Sequence, residues 1–260
     1  MRLMDDIFMQ VTFSMFPGCV QEVLSVSMDK PDLEVVEVRT QKPLASLIRR
    51  SFFLDVFAKD AQGTYYDIEI QRKDDGATPR RARRIASAAD AKLSKKGKKA
   101  GDAVELYVIF ITEHDVLADG LPIYHIERHI TETGQPFDDG LHIIYVNGAM
   151  QGDTTPLARL MHDLQCADPG AIFNPTLAHA VRHVKTSEEG AKTMGNLSEE
   201  IWNEGKAEGK VEGRVEGKIE ERLQMVQRLL KRGLLPHDEI AECSGMSLDE
   251  VRQLAAAQAY

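Results

Sequence analysis

Cysteine is scarce in this 260-residue chain and does not cluster. Cys19, Cys166 and Cys243 are odd in number, far apart and without CxxC or Cys/His spacing, which argues against a disulfide framework and a zinc site. All three are expected as reduced thiols. Long apolar runs are lacking too: the longest, Leu106 to Ile111, falls far short of the roughly 20 residues a membrane span needs. The N-terminus, MRLMDDIF, has no charge-then-apolar secretory layout, so the expectation is a soluble, cytoplasmic protein without a membrane partner. A positive balance is also missing. The formal net charge is −9, which on its face argues against nucleic acid.

The distribution of charge argues the other way. Between Arg72 and Lys99 eleven basic residues stand against three acidic ones, a local balance of +8. An acidic protein with one basic island is a candidate for binding a polyanion such as DNA there, and Arg72, Lys73, Arg80, Arg81, Arg83 and Arg84 open that island. A solvated lysine-rich helix end has the same composition.

Apolar residues from Ile7 to Leu24 recur at three- and four-residue intervals and break at Pro17-Gly18, which predicts helix, turn, helix. Strands are predicted at 35–39, 52–59, 64–71, 103–112, 121–126 and 141–146, with the continuous run 103–112 as a central strand buried on both faces. Helices are predicted from Pro79 to a stop at Gly97, and at 156–165 and 175–185. Such an order implies an α/β domain over 1–195. Beyond it, residues 204–222 repeat every four: Ala207, Val211, Val215 and Ile219 form an apolar seam, with glycines at 205, 209, 213 and 217 nearly opposite. Those glycines forfeit about 4 kcal/mol of helix propensity relative to alanine, so a linker helix over 196–232 needs a partner or stays frayed; a self-associating or docking helix, as in a homodimer through this tail, is favoured over a disordered linker. The last segment, 233–260, reads as two short helices with the glycine turn of a helix-turn-helix. Leu248-Asp249-Glu250 puts carboxylates where a DNA reader would meet phosphate, which favours packing or assembly.

The stretch YYDIEIQ, 65–71, alternates strictly, with Asp67, Glu69 and Gln71 on one face. Asp60 and Gly63 sit where a three-residue hairpin loop wants Asp first and a left-handed residue last. That register places Asp55 directly across from Glu69, with Cβ atoms about 5 Å apart. Opposed carboxylates repel, and Mg²⁺ or Mn²⁺, which take oxygen ligands, would offset the repulsion. Gln71 could orient an attacking water, and Asp67, across from Phe57, is a supporting group only. A solvated polar face is the competing explanation. His114, His125, His129 and His142 match no ligand spacing.

Several stretches carry a resemblance: LDVFAKDAQGTYYDIEIQRKDDG (54–76), PRRARRIASAADAKLSKKG (79–97), LYVIFITEHDVLADGLPIYHIERHI (106–130), FDDGLHIIYVNG (137–148) and the Glu-Gly-rich tail. In that order they resemble the PD-(D/E)XK nuclease family transposases, the recombination-promoting nucleases. The resemblance implies a restriction-endonuclease-like mixed sheet flanked by helices, followed here by a helical tail, and Mg²⁺-dependent DNA cleavage. Asp55 would be the motif aspartate, Glu69 the motif carboxylate, and Gln71 would stand where the superfamily usually has lysine. It also implies a helix-borne glutamate, for which Glu22 is the candidate, and a helix after the hairpin whose Arg81 and Arg83 meet the DNA backbone. A neutral Gln71 can hydrogen-bond but not deliver charge, so the alternative is a catalytically inactive DNA-binding or assembly protein on the same fold.

Overall fold

Six segments rich in Val, Ile, Phe and Tyr pair into one mixed sheet in this computed structural model, which describes residues 1–44, 52–93 and 104–257. The strands are β1 (Val35–Leu44), β2 (Phe52–Asp60), β3 (Tyr65–Gln71), β4 (Leu106–Thr112), β5 (Ile123–Ile126) and β6 (Leu141–Asn147), in the order β1-β2-β3-β4-β6-β5. The pairs β1–β2, β2–β3 and β5–β6 are antiparallel, whereas β3–β4 and β4–β6 are parallel. The parallel pair β3–β4 needs a crossover, and α3 (Pro79–Leu93) supplies it. The glycine stop expected at Gly97 lies outside the described residues.

Helices cover both faces. Helices α1 (Asp6–Met15), α2 (Gly18–Ser27), α4 (Pro156–Gln165) and α5 (Pro175–Thr186) share a core with Val56, Ala58, Tyr66, Ile68, Ile70, Ile109, Ile111, Ile144 and Val146. On the other face α3 packs Ala82, Ile85, Ala86 and Ala89 against Phe57, Leu106, Val108, Phe110 and Tyr145. Because β-strand side chains alternate, consecutive β4 residues serve different cores, and Val108 to Ile111 are all fully buried, as the continuous run predicts. Among the described residues no single helix is long and apolar enough to cross a membrane. The three cysteines are free, and burial, with the nearby Glu22 charge second, pushes the Cys19 thiol up to about 12.

The predicted hairpin turn is present. Gly63 takes φ +94°, its N–H donates to the Asp60 carbonyl at 3.1 Å, and the Asp60 N–H donates to the Thr64 carbonyl at 3.0 Å. The Asp60 side chain clamps the loop, accepting from the Thr64 N–H at 2.9 Å and the Tyr66 hydroxyl at 2.8 Å. Val56 pairs with Ile68, Phe57 with Asp67, Ala58 with Tyr66 and Lys59 with Tyr65.

The chain divides into two compact units, Met1–Leu197 and Ser198–Tyr260. Helix α6 runs from Glu188 to Arg232, beginning earlier than the predicted linker helix. In the second unit its last turns join α7 (His237–Ser244) and α8 (Leu248–Ala257) around Val226, Ile240 and Val251. Gly245 closes α7 at φ +63°. The Glu250 carboxylate accepts from the Ser247 N–H and hydroxyl, both at 2.8 Å, while the Glu250 N–H donates to Ser247 Oγ at 3.3 Å. That reciprocal cap explains the acidic start of α8 without a nucleic-acid partner.

At the start of β6, His142 stacks on Tyr107 at 4.3 Å, its Nδ1 lies 2.9 Å from Glu127 and its Nε2 2.9 Å from Glu105. Burial opposes protonation there, but hydrogen bonds and charge from the two carboxylates outweigh it and raise the imidazole pKa above 6.5. The resulting stability is complete below the unfolded value and lost as pH rises through the folded one. His142→Gln should therefore cost about 1 kcal/mol near pH 6 and almost nothing near pH 9, as read by urea unfolding at the two pH values.

Candidate active site

The polar alternation of β3 is not a solvated face. Asp67 and Glu69 are fully buried, on the side of the sheet that α3 covers, and Glu69 pairs across the parallel ladder with Phe110. Exposure returns toward the end of the strand: Gln71 is half-buried and Arg72 to Asp75 are exposed. Asp55 belongs to β2, immediately before Val56, which pairs with Ile68, the residue before Glu69. The Asp55 side chain lies outside the described residues.

A short chain of contacts fixes the open end. Gln71 Nε2 lies 3.4 Å from Glu69 Oε2, a long hydrogen bond. The other end of that amide rests against Gly76, in the 3-10 turn Asp74–Ala77: a Cβ built there would fall 2.1 Å from Gln71 Oε1. Only glycine admits the amide in this position. The turn is anchored from below, since the Tyr145 hydroxyl donates to the Ala77 carbonyl at 2.9 Å while its ring stacks on Phe110 at 5.1 Å. Burial pushes the Tyr145 phenol up to about 12, so it stays a neutral donor.

Residues 28–150 match the PD-(D/E)XK nuclease family transposase model. The match covers just under half of the chain and contains the whole hairpin, α3, β4, β5 and β6. The mixed sheet flanked by helices is consistent with the restriction-endonuclease-like fold of that family. No curated protein and no solved structure matches the chain. The match associates this segment with nucleases and mobile elements, and PD-(D/E)XK nucleases generally use divalent metals.

The donor chemistry of the matching segment fits such an ion: the candidate groups Asp55, Glu69 and Gln71 offer carboxylate and amide oxygens, which suit a hard cation. Among the described residues no set of three His, Cys, Asp or Glu side chains is placed to hold a metal. Of the histidines, His142 is engaged by Glu105 and Glu127, and His114 by Asp74 at 3.2 Å.

Two expectations need correction. Glu22 stands on α2, whose buried residues Cys19, Val20, Val23 and Leu24 belong to the core on the opposite side of the sheet from Glu69. Its carboxylate accepts from Asn174 Nδ2 at 2.7 Å, the residue that caps α5. It is thus not brought to Glu69. Arg72, expected at a DNA phosphate, is committed to carboxylates: Nη1 lies 3.0 Å from Asp5 and Nε 3.3 Å from Glu113, while Arg2 holds the other Glu113 oxygen at 2.8 Å. Burial raises the Glu113 pKa, but hydrogen bonds and charge from Arg2 and Arg72 outweigh it and hold the carboxyl below its ordinary value. These pairs tie the N-terminal segment to the end of β4. Lys73, Arg80, Arg83 and Arg84 are exposed, as DNA contacts require, and Arg81 is half-buried.

Gly76 and Tyr145 were not legible as site residues. Gly76 looks like any glycine after two aspartates, and only the tertiary approach of Gln71 gives it a role. Gly76→Ala should displace the Gln71 amide and reduce activity as Gln71→Ala does. The double variant should be no worse than either single, the non-additivity that a shared contact requires. Additive losses in a nuclease assay would contradict this linkage.

Proposed function

We propose that the chain is a metal-dependent DNA endonuclease that hydrolyses phosphodiester bonds and promotes recombination or acts in association with mobile elements. The observation that carries this reading is Glu69: a fully buried carboxylate under an arginine-rich helix, on the same strand face as the amide of Gln71, within a segment that matches a nuclease family. Asp55 and Glu69 would hold Mg²⁺ or Mn²⁺, which when bound supplies Lewis-acid polarisation of the phosphate and acidifies water. Gln71, kept in place by Gly76, orients the attacking water through its amide. Lys73, Arg80, Arg83 and Arg84 contact flanking phosphates, so binding weakens with salt. The proposed tail partner is a second copy of the chain, met through the seam Ala207, Val211, Val215 and Ile219, of which Ile219 is exposed.

One observation favours a second reading, an inactive DNA-binding or assembly protein on the same fold: Gln71 is neutral where the superfamily's lysine would bring charge. Plasmid nicking separates the two. Wild type should nick supercoiled DNA with Mg²⁺ or Mn²⁺ and not with chelator, and Asp55→Ala and Glu69→Gln should each slow nicking by at least about 100-fold. Equal nicking by wild type and both variants would sink the site, and no nicking by any of them would favour the second reading.

A further inference from the structure

The groups named for the proposed site, Asp55, Glu69 and Gln71, include no cation. Two are carboxyl side chains and one is a neutral amide, yet a phosphodiester under attack gathers negative charge on its non-bridging oxygens, which a preorganised donor stabilises most when it is itself charged. The first turns of α3 carry four arginines. Arg80, Arg83 and Arg84 are exposed, and Arg72 is already matched to Asp5 and Glu113.

Arg81 differs from all of them. It lies on the flank of α3 next to the Ala82, Ile85 and Ala86 face that packs on the sheet, and it is half-buried rather than exposed. Its backbone N–H donates to Thr78 Oγ1 at 3.3 Å, which fastens it to the first turn of the helix. Its Nε is buried and has no hydrogen-bond partner among the described residues. A buried, unsatisfied nitrogen on a charged group is costly, and an incoming hydrogen-bond acceptor such as a phosphate oxygen would complete it. The 3-10 turn that holds the Gln71 amide against Gly76 leads through Thr78 directly into this turn of α3, on the same side of the sheet as Glu69.

We infer that Arg81 is a catalytic residue that binds the scissile phosphate itself, supplying from the helix the positive charge that Gln71 does not bring. This rests on the nuclease reading. In the step it serves, a water oxygen forms a bond to phosphorus and the bond from phosphorus to one sugar oxygen breaks. One water proton passes to solvent, and the leaving oxygen takes a proton from solvent. Arg81 transfers no proton, because a guanidinium stays charged throughout. It donates hydrogen bonds to a non-bridging oxygen, and these strengthen as charge develops.

The test compares wild type, Arg81→Gln, Arg81→Lys and the double variant Arg81→Gln/Gln71→Lys. Plasmid nicking is read as kcat and KM, and duplex affinity by fluorescence anisotropy without added metal. Arg81→Gln should lower kcat by about 100-fold while duplex affinity changes less than about threefold, and Arg81→Lys, which keeps the charge, should lose less. Moving the charge to position 71 in the double variant should recover at least about tenfold of the lost rate. If Arg81→Gln weakens duplex affinity and raises KM with kcat unchanged, Arg81 is an ordinary backbone contact and the inference fails. It fails equally if the double variant is no faster than Arg81→Gln. Wild type that nicks nothing with either metal defeats the nuclease reading itself, whereas an active wild type with an unimpaired Arg81→Gln defeats only the role of Arg81.

Discussion

Burying carboxylates on a sheet face is the constraint from which the rest of this domain follows. Asp67 and Glu69 are sealed between β3 and α3, where an ionised carboxylate is costly unless it is paired. The covering helix meets the sheet with three alanines and one isoleucine, adding little bulk over the carboxylates. Phe110 and Tyr145 close the neighbouring strands with stacked rings. What remains open is the end of β3, where Gln71, the 3-10 turn and the start of α3 converge. Two carboxyl groups buried side by side on one sheet face, beside an open strand end, are the physical reason to look for chemistry there.

The position of that chemistry depends on small things. Gly76 has no Cβ, so the Gln71 amide can lie flat against the turn, and Tyr145 holds the turn from the second strand over. At the adjacent strand end, Arg2, Arg72, Asp5 and Glu113 form a half-exposed ion network that joins the N-terminal segment to the ends of β3 and β4. Isolated exposed pairs contribute little, but a network of four charged groups orders the backbone from which Gln71 projects. Two adjacent positions, 71 and 72, thus serve different ends: an amide for the proposed site and a guanidinium for the frame.

How much of this was legible in the sequence follows from whether the cause is local. The hairpin register was legible because turn chemistry at Asp60 and Gly63 is local, and the doubly buried β4 was legible because helices on both faces leave it no polar positions. The burial of the Asp67 and Glu69 face was not, since alternation alone reads equally as a solvated face, and only the placement of α3 decides. Glu22 was misplaced for the same reason: the spacing of α2 marks its apolar stripe but not which side of the sheet that stripe will cover. Arg72 counted toward a basic island in sequence, while Asp5 and Glu113, which neutralise it, come from far away in the chain. In the second unit, by contrast, Ser247 and Glu250 are three residues apart, and their reciprocal cap could be read directly.

The central proposal is that Glu69 and Asp55 together hold one cation. Calorimetric titration of the full chain with Mn²⁺ tests it most directly. The account predicts saturable binding by wild type that Glu69→Gln and Asp55→Asn each abolish, while Glu22→Gln binds as wild type does. Mn²⁺ binding that survives both substitutions, or that is lost in Glu22→Gln with the fold intact, would contradict it.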